Sequence, residues 1–204
     1  MKLRIGTRGS ALAQAQTRWV AEQIRQATGV TAELVTIRTR GDELQGQDVG
    51  PSTSLGVGLF TKALEMALEA EECEVAIHSL KDLPVEQPPG LRVAAVLERA
   101  SPADCLASKH PGGWRGLPHG ATVATSSLRR RNQLRHLRPD LQTTEIRGNM
   151  GTRLRKVLQN PHLDALVLAS AAVQRLGAGL VPGELELTTI EEMLPAPGQG
   201  AIAV

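Results

Sequence analysis

Aromatic side chains are nearly missing from this chain of 204 residues: Trp19, Trp114 and Phe60 are all there are, and tyrosine is absent. The core must therefore be aliphatic. Proteins that grip single-stranded nucleic acid stack bases on aromatic rings, so this scarcity argues against a nucleic-acid partner. Cysteine is almost as rare. Cys73 and Cys105 form no CxxC pair, and the five histidines stand at no zinc-ligand spacing from them, so no metal is expected. No stretch approaches the ~20 apolar residues of a membrane span, and the opening MKLRIGTRGS lacks the apolar run of a signal peptide. The expectation is a cytoplasmic protein with no membrane partner. A Walker loop, a GxGxxG turn and a GxSxG elbow are also missing, which removes the commonest signatures of nucleotide binding and serine hydrolysis.

What remains is an ordinary globular composition, 41% hydrophobic and 22% charged, long enough for one large domain or two small ones at roughly 150 residues per domain. The cations are lopsided, with 18 Arg against 5 Lys. Arginine offers a planar fork that matches a carboxylate or phosphate, and lysine does not. Residues 1–100 carry a net charge of −2 and residues 101–204 a net +4. The excess lies between Arg129 and Lys156, where nine basic side chains face only Asp140 and Glu145. A basic patch on a nearly neutral protein suggests a local anionic ligand rather than a long polyanion.

The hydrophobic pattern alternates between strand and helix. Strands are expected at residues 3–6, 32–38, 75–78 and 91–97, with helices at 10–27 and 59–70. The apolar stripe of the first helix is Leu12, Trp19, Val20 and Ile24. Residues 42–58 are rich in Gly, Gln and Ser and read as a loop. The alternation then restarts, with strands at 121–124, 141–146 and 163–169 and helices at 128–137, 152–158 and 170–176. This implies an α/β protein with mixed sheets flanked by helices. Two domains are expected: residues 1–97 plus 196–204, and residues 98–195. Open α/β sheets bind ligands at the carboxyl ends of their strands, which directs attention to the strand-to-helix turns.

Three such turns carry suggestive chemistry. In Thr125-Ser126-Ser127-Leu128-Arg129-Arg130, a serine can cap the helix while two arginines enter its first turn. The helix dipole disfavours cations there by roughly 0.3–1 kcal/mol each, so a bound anion is the natural compensation. The turn Ile146-Arg147-Gly148-Asn149, followed by Thr152-Arg153, repeats the arrangement. These four arginines are expected to converge on one pocket. The run His78-Ser79-Leu80-Lys81-Asp82-Leu83-Pro84 places one carboxylate among cations, either as a counter-ion or to handle a proton or a ligand cation. Lys81 and the arginines are expected to keep Asp82 ionised.

Together these strings resemble the porphobilinogen deaminase (hydroxymethylbilane synthase) family. The matching segments also include Arg4-Ile5-Gly6-Thr7-Arg8-Gly9-Ser10, Gly58-Leu59-Phe60-Thr61-Lys62, Arg175-Leu176-Gly177 and Pro197-Gly198-Gln199-Gly200-Ala201. The resemblance implies two periplasmic-binding-protein-like domains with a ligand cleft between them, in a monomer. It implies a transferase of tetrapyrrole (haem) biosynthesis that deaminates four porphobilinogens and joins them into hydroxymethylbilane on a dipyrromethane primer. By the same resemblance Lys81, Thr125, Ser126, Ser127, Arg129, Arg130, Arg147, Gly148 and Arg153 would hold the primer. Arg8, Ser10, Gln16, Arg175 and Gln199 would serve the incoming substrate. Asp82 would be catalytic, stabilising the cation left when ammonia departs. Two departures stand out. Val57 replaces the family's usual lysine between Gly56 and Gly58, and the family's third domain, whose cysteine anchors the primer, is absent from these 204 residues. Cys73 and Cys105 match non-anchor positions. The expectation is a truncated chain with little turnover alone. The rival is a non-catalytic anion-binding protein of the same architecture.

Overall fold

A computed structural model describes residues 2–38 and 61–204. The chain forms two compact units, one of Met1–Arg99 with Ala201–Val204 and one of Ala100–Gly200. Residues 39–60, and with them the expected loop at 42–58, lie outside the described residues.

In the first unit, strand β1 (Leu3–Arg8) leads into helix α1 (Ala11–Thr28), which returns to β2 (Ala32–Ile37). Helix α2 (Lys62–Glu69) precedes the short strands β3 (Val75–Ala76) and β4 (His78–Ser79). β1 is central, with β2 and β3 parallel on either side. α1 starts because Ser10 Oγ accepts the Ala13 amide at 3.3 Å, and it stops where Gly29 adopts φ 75° and returns its N–H to Arg25. The buried face of α1 is Gln16, Thr17 and Val20. Trp19, expected in the apolar stripe, is instead 39% exposed. The polar residues can go inside because the Thr17 hydroxyl bonds the Ala13 carbonyl at 2.9 Å and Thr7 Oγ1 at 2.8 Å.

The expected strand at 91–97 does not form as a regular strand. The segment hydrogen-bonds to the last residues through Ala94, Ala95 and Leu97 and makes a single bridge, Val96 to Ala203. The bridge partner lies in β10 (Ile202–Ala203), which also pairs antiparallel with β4.

The second unit is a five-stranded mixed sheet in the order β7-β6-β8-β5-β9. Its strands are β5 (Asp104–Ser108), β6 (Thr122–Ala124), β7 (Gln142–Thr144), β8 (Ala165–Ala169) and β9 (Glu186–Ile190). Helices α3 (Leu128–Leu137), α4 (Met150–Gln159) and α5 (Ser170–Leu176) connect them. β6, β7 and β8 run parallel, while β5 is antiparallel to both β8 and β9. Side chains alternate across a strand. Leu166 and Leu168 therefore pack in one cluster with Leu154 and Val157, and Ala165 and Val167 pack in another with Leu134 and Ile190. A strand covered on both faces reads as a continuous apolar run, which is why β8 is plain in the sequence. β5 and β9 are not, because β5 opens on Asp104 and closes on Ser108, and β9 is an edge strand carrying Glu186, Thr188 and Thr189.

Candidate functional site

In the second unit, β6 ends at Ala124 and the turn Thr125-Ser126-Ser127 feeds α3. Ser127 Oγ accepts the Arg130 amide at 3.4 Å and caps the helix, while buried Thr125 accepts the Ser127 amide at 3.2 Å. Ser126 reaches sideways. Its hydroxyl donates to the Ile146 carbonyl at 2.7 Å and accepts the Ile146 amide at 3.1 Å, fastening this turn to the next. In that second turn Asn149 Oδ1 caps α4 by accepting the Thr152 amide at 2.9 Å. Gly148 is required there: its φ is 112°, and a Cβ would lie 2.8 Å from Thr152 Cγ2.

Arg129 and Arg130 both meet Asp104, a residue that the sequence reading missed. Asp104 heads β5 and is 0% exposed. Its Oδ1 accepts Arg130 Nε at 3.1 Å and Nη2 at 2.7 Å, and Arg129 Nη2 lies 2.7 Å from Oδ2. Burial works to raise this carboxyl, but Arg130, Gln199 and Arg129 outweigh it and hold it below the usual carboxylate range. An acidic residue opening an otherwise apolar strand was the available signal. Arg130 also donates Nη1 to the Val167 carbonyl at 3.1 Å, so it is committed to the interior. Arg129 bonds the Leu194 carbonyl and stays 24% exposed.

Arg153 is the contrasting case. Its Nε donates to the Gly148 carbonyl at 2.7 Å, and burial together with the Arg130 charge pushes its guanidinium below its ordinary value. Among the described residues no carboxylate pairs with it. Arg147 is exposed, and its carbonyl accepts Lys156 Nζ at 3.3 Å. Arg175 is likewise lowered by burial and donates to the Gly200 carbonyl at 2.5 Å. Gln199 is fully buried, with its amide nitrogen spent on the Pro102 carbonyl at 2.7 Å and on Asp104 Oδ1 at 2.8 Å.

In the first unit, β4 runs directly into a 3-10 turn, Leu80–Asp82, which presents Lys81 and Asp82. The Leu80 amide bonds the Ala201 carbonyl at 3.1 Å, and Pro84 prevents the turn from continuing as helix. Gln16, buried in α1, donates to Ser79 Oγ at 2.9 Å and so ties α1 to this turn. Ser10 is used as the α1 cap. Asp82 is reached by solvent, yet reduced solvation raises its carboxyl above the usual range, against the pull of Lys81 and Arg8. His78 is pushed down to about 4 by burial and then by Arg8, so its imidazole is neutral.

Both cysteines are free and buried, and burial raises both thiols. Among the described residues no cluster of His, Cys, Asp or Glu is placed to hold a metal, and no helix is long and apolar enough to cross a membrane.

Comparison with known proteins follows this geometry. Residues 3–204 match a family model described as "Porphobilinogen deaminase, dipyromethane cofactor binding domain". A porphobilinogen deaminase of Desulforamulus reducens is 44% identical over 204 residues, all of this chain and 64% of that protein. One of Stenotrophomonas maltophilia is 46% identical over 205 residues, 99% of this chain and 65% of that protein. The chain therefore spans somewhat less than two thirds of the length of these curated relatives. Among solved structures, the periplasmic VFT2 domain of Bordetella pertussis BvgS matches with a TM-score of 0.54 at 14% identity, over 98% of this chain and 78% of that one. An ancestral arginine-binding protein bound to glutamine matches with a TM-score of 0.50 at 13% identity, over 100% of this chain and 83% of that one. These likenesses establish the fold: mixed α/β units of the periplasmic-binding-protein type.

Proposed function

We propose, from the premise that this chain belongs to the porphobilinogen deaminase family, that it holds the primer and the substrate for the joining of four porphobilinogens into hydroxymethylbilane. The observation that carries the reading is the family match over residues 3–204, together with an arginine cluster in which half-buried Arg153 meets no carboxylate among the described residues.

The donor set suits a dipyrromethane. Each of its pyrroles carries an acetate and a propionate, and charge-assisted bonds from guanidinium forks are the strong way to hold carboxylates. Arg153, which lacks a carboxylate of its own among the described residues, would take one carboxylate, with Arg129 and Arg147 beside it. Thr125, Ser126, Ser127 and Gly148 shape the turns that carry these side chains, and Arg130 contributes through its charge from the interior. When bound, the dipyrromethane supplies the pyrrole end to which new units are joined.

Lys81 would add a cation for the primer; for the incoming porphobilinogen, Arg8 and Arg175 would meet carboxylates. Ser10, Gln16 and Gln199 act by holding the segments that carry these groups. Asp82 is the catalytic residue. A carboxylate stabilises the positive charge that develops as ammonia leaves the substrate. A carboxyl raised above its usual range is also a better base for the pyrrole proton removed on coupling. The reading makes the protein a cytoplasmic monomer with both thiols reduced.

The test is turnover of porphobilinogen to hydroxymethylbilane, assayed as uroporphyrin after cyclisation and oxidation, in the full-length protein with its primer in place. Asp82→Asn should lose on the order of a hundredfold in kcat, the scale of removing one preorganised stabilising group, with KM little changed. Tight binding of porphobilinogen with no turnover by the unmodified protein would favour a non-catalytic anion binder.

A further inference from the structure

We infer that Asp104 is a positioning residue, which acts through Arg129 to aim one guanidinium at a ligand carboxylate; the inference rests on reading the second unit as a carboxylate-binding site. Asp104 lies at the first position of β5, wholly excluded from solvent, and receives groups from two separate segments. Arg130 and Arg129 come from the first turn of α3, and Gln199 from the Pro197-Gly198-Gln199-Gly200 loop.

The two oxygens are not used alike. Oδ1 takes both Arg130 contacts and the Gln199 amide, at 2.7 to 3.1 Å, while Oδ2 faces Arg129 alone, at 2.7 Å. Arg130 is thereby locked inward. Arg129 makes a close ion contact through Nη2 with Asp104 Oδ2, an oxygen that has no hydrogen-bond partner among the described residues, and donates Nη1 to the Leu194 carbonyl, which leaves most of its N–H groups for other acceptors. A side chain fixed at two points loses little further freedom when it binds, so its hydrogen bonds to a ligand cost less entropy.

The charges point the same way. One carboxylate against two guanidiniums leaves a net +1, and Arg153 adds another cation close enough to Arg130 to feel its charge. Asp104 thus moderates the repulsion among cations at a helix N-terminus, where the dipole already opposes them, without cancelling the attraction for an anion. A carboxylate serving only as counter-charge would weaken every anion equally. One that aims Arg129 strengthens a ligand of matching geometry.

The experiment is calorimetric titration of the 204-residue chain with a free dipyrromethane bearing acetate and propionate groups, and in parallel with acetate alone. Asp104→Asn keeps the shape and one acceptor but releases Arg129. It should bind the dipyrromethane about tenfold more weakly, while acetate binding is unchanged or stronger. Arg129→Met should lose a similar factor, and adding Asp104→Asn to it should cost less than about twofold more, since residues acting as one unit are non-additive. If Asp104→Asn does not fold, the pair Asp104→Asn with Arg130→Met removes the imbalance of buried charge. In that background Arg129→Met should again cost less than about twofold. Undiminished dipyrromethane binding by Asp104→Asn, or losses that multiply in the double variant, would overturn the positioning role and leave the carboxylate site standing. If Arg129→Met alone binds the dipyrromethane as well as the unmodified chain, the carboxylate-site reading itself falls, and the positioning role with it.

Discussion

Replacing Arg130 with methionine should destabilise the second unit far more than a surface arginine would. The change removes two contacts to Asp104 Oδ1, at 3.1 and 2.7 Å, and one to the Val167 carbonyl at 3.1 Å. Asp104 has no exposure to water, so the charge cannot be resolvated in place. Breaking a buried pair costs about 3–5 kcal/mol. Arg129 and Gln199 still hold the carboxylate, which places the expected loss near about 3 kcal/mol. For a unit of this size that is a fall in melting temperature of roughly 12–24 °C. The assay is thermal and urea denaturation followed by circular dichroism. Adding Asp104→Asn to Arg130→Met should restore most of the loss, because no uncompensated charge remains. A pH series supplies the sign. In the unmodified chain Asp104 titrates below its unfolded value, so its contribution is present above the ordinary carboxylate range and is lost as pH falls through the lowered value. In Arg130→Met the carboxyl rises, so the gap between the two proteins should narrow on acidification. A loss below about 1 kcal/mol at neutral pH, or no recovery in the double variant, would refute the reasoning.

Three further outcomes are expected. His78 is held near 4, whereas an unfolded histidine titrates near 6.5; the unfolded chain therefore takes up its proton first, and stability should fall by at most about 3 kcal/mol as pH drops from 6.5 to 4. His78→Asn should flatten that slope, and an unchanged slope would show that other groups cause it. Cys73 and Cys105 should resist Ellman's reagent in the native protein and react on unfolding, since both are buried and their thiols are raised; rapid native labelling would contradict that burial. Gly200→Ala should cost at least about 2 kcal/mol, because φ is 91° and the new Cβ would stand 2.3 Å from the Ala100 carbonyl oxygen. Denaturation midpoints equal to those of the parent would sink that expectation.

Local chemistry made much of the molecule legible. The Ser126-Ser127 pair announced a helix start because a hydroxyl before a helical run satisfies amides that nothing else reaches. β8 was visible because both of its faces are covered, so every position is apolar. The strand-to-helix turns with Arg129, Arg147 and Arg153 stood out because cations at a helix N-terminus are locally unfavourable. The same local logic misread residues 91–97, where an apolar run suggested a strand but the segment makes a single bridge and a few backbone bonds to the last residues. It also misplaced Trp19, since the buried face of α1 is decided by hydroxyl and amide partners on β1 and β4 rather than by hydropathy. Asp104 lay furthest from view. Nothing near it in the chain identifies it as a partner of Arg129, Arg130 and Gln199, which stand 25, 26 and 95 residues away. The sequence by itself determined the alternation of elements, the aliphatic core and the cationic turns, because each follows from neighbours along the chain. Only the tertiary structure decided which arginine is spent inside and which carboxylate holds it, because burial and ion pairing are settled by groups that folding brings together.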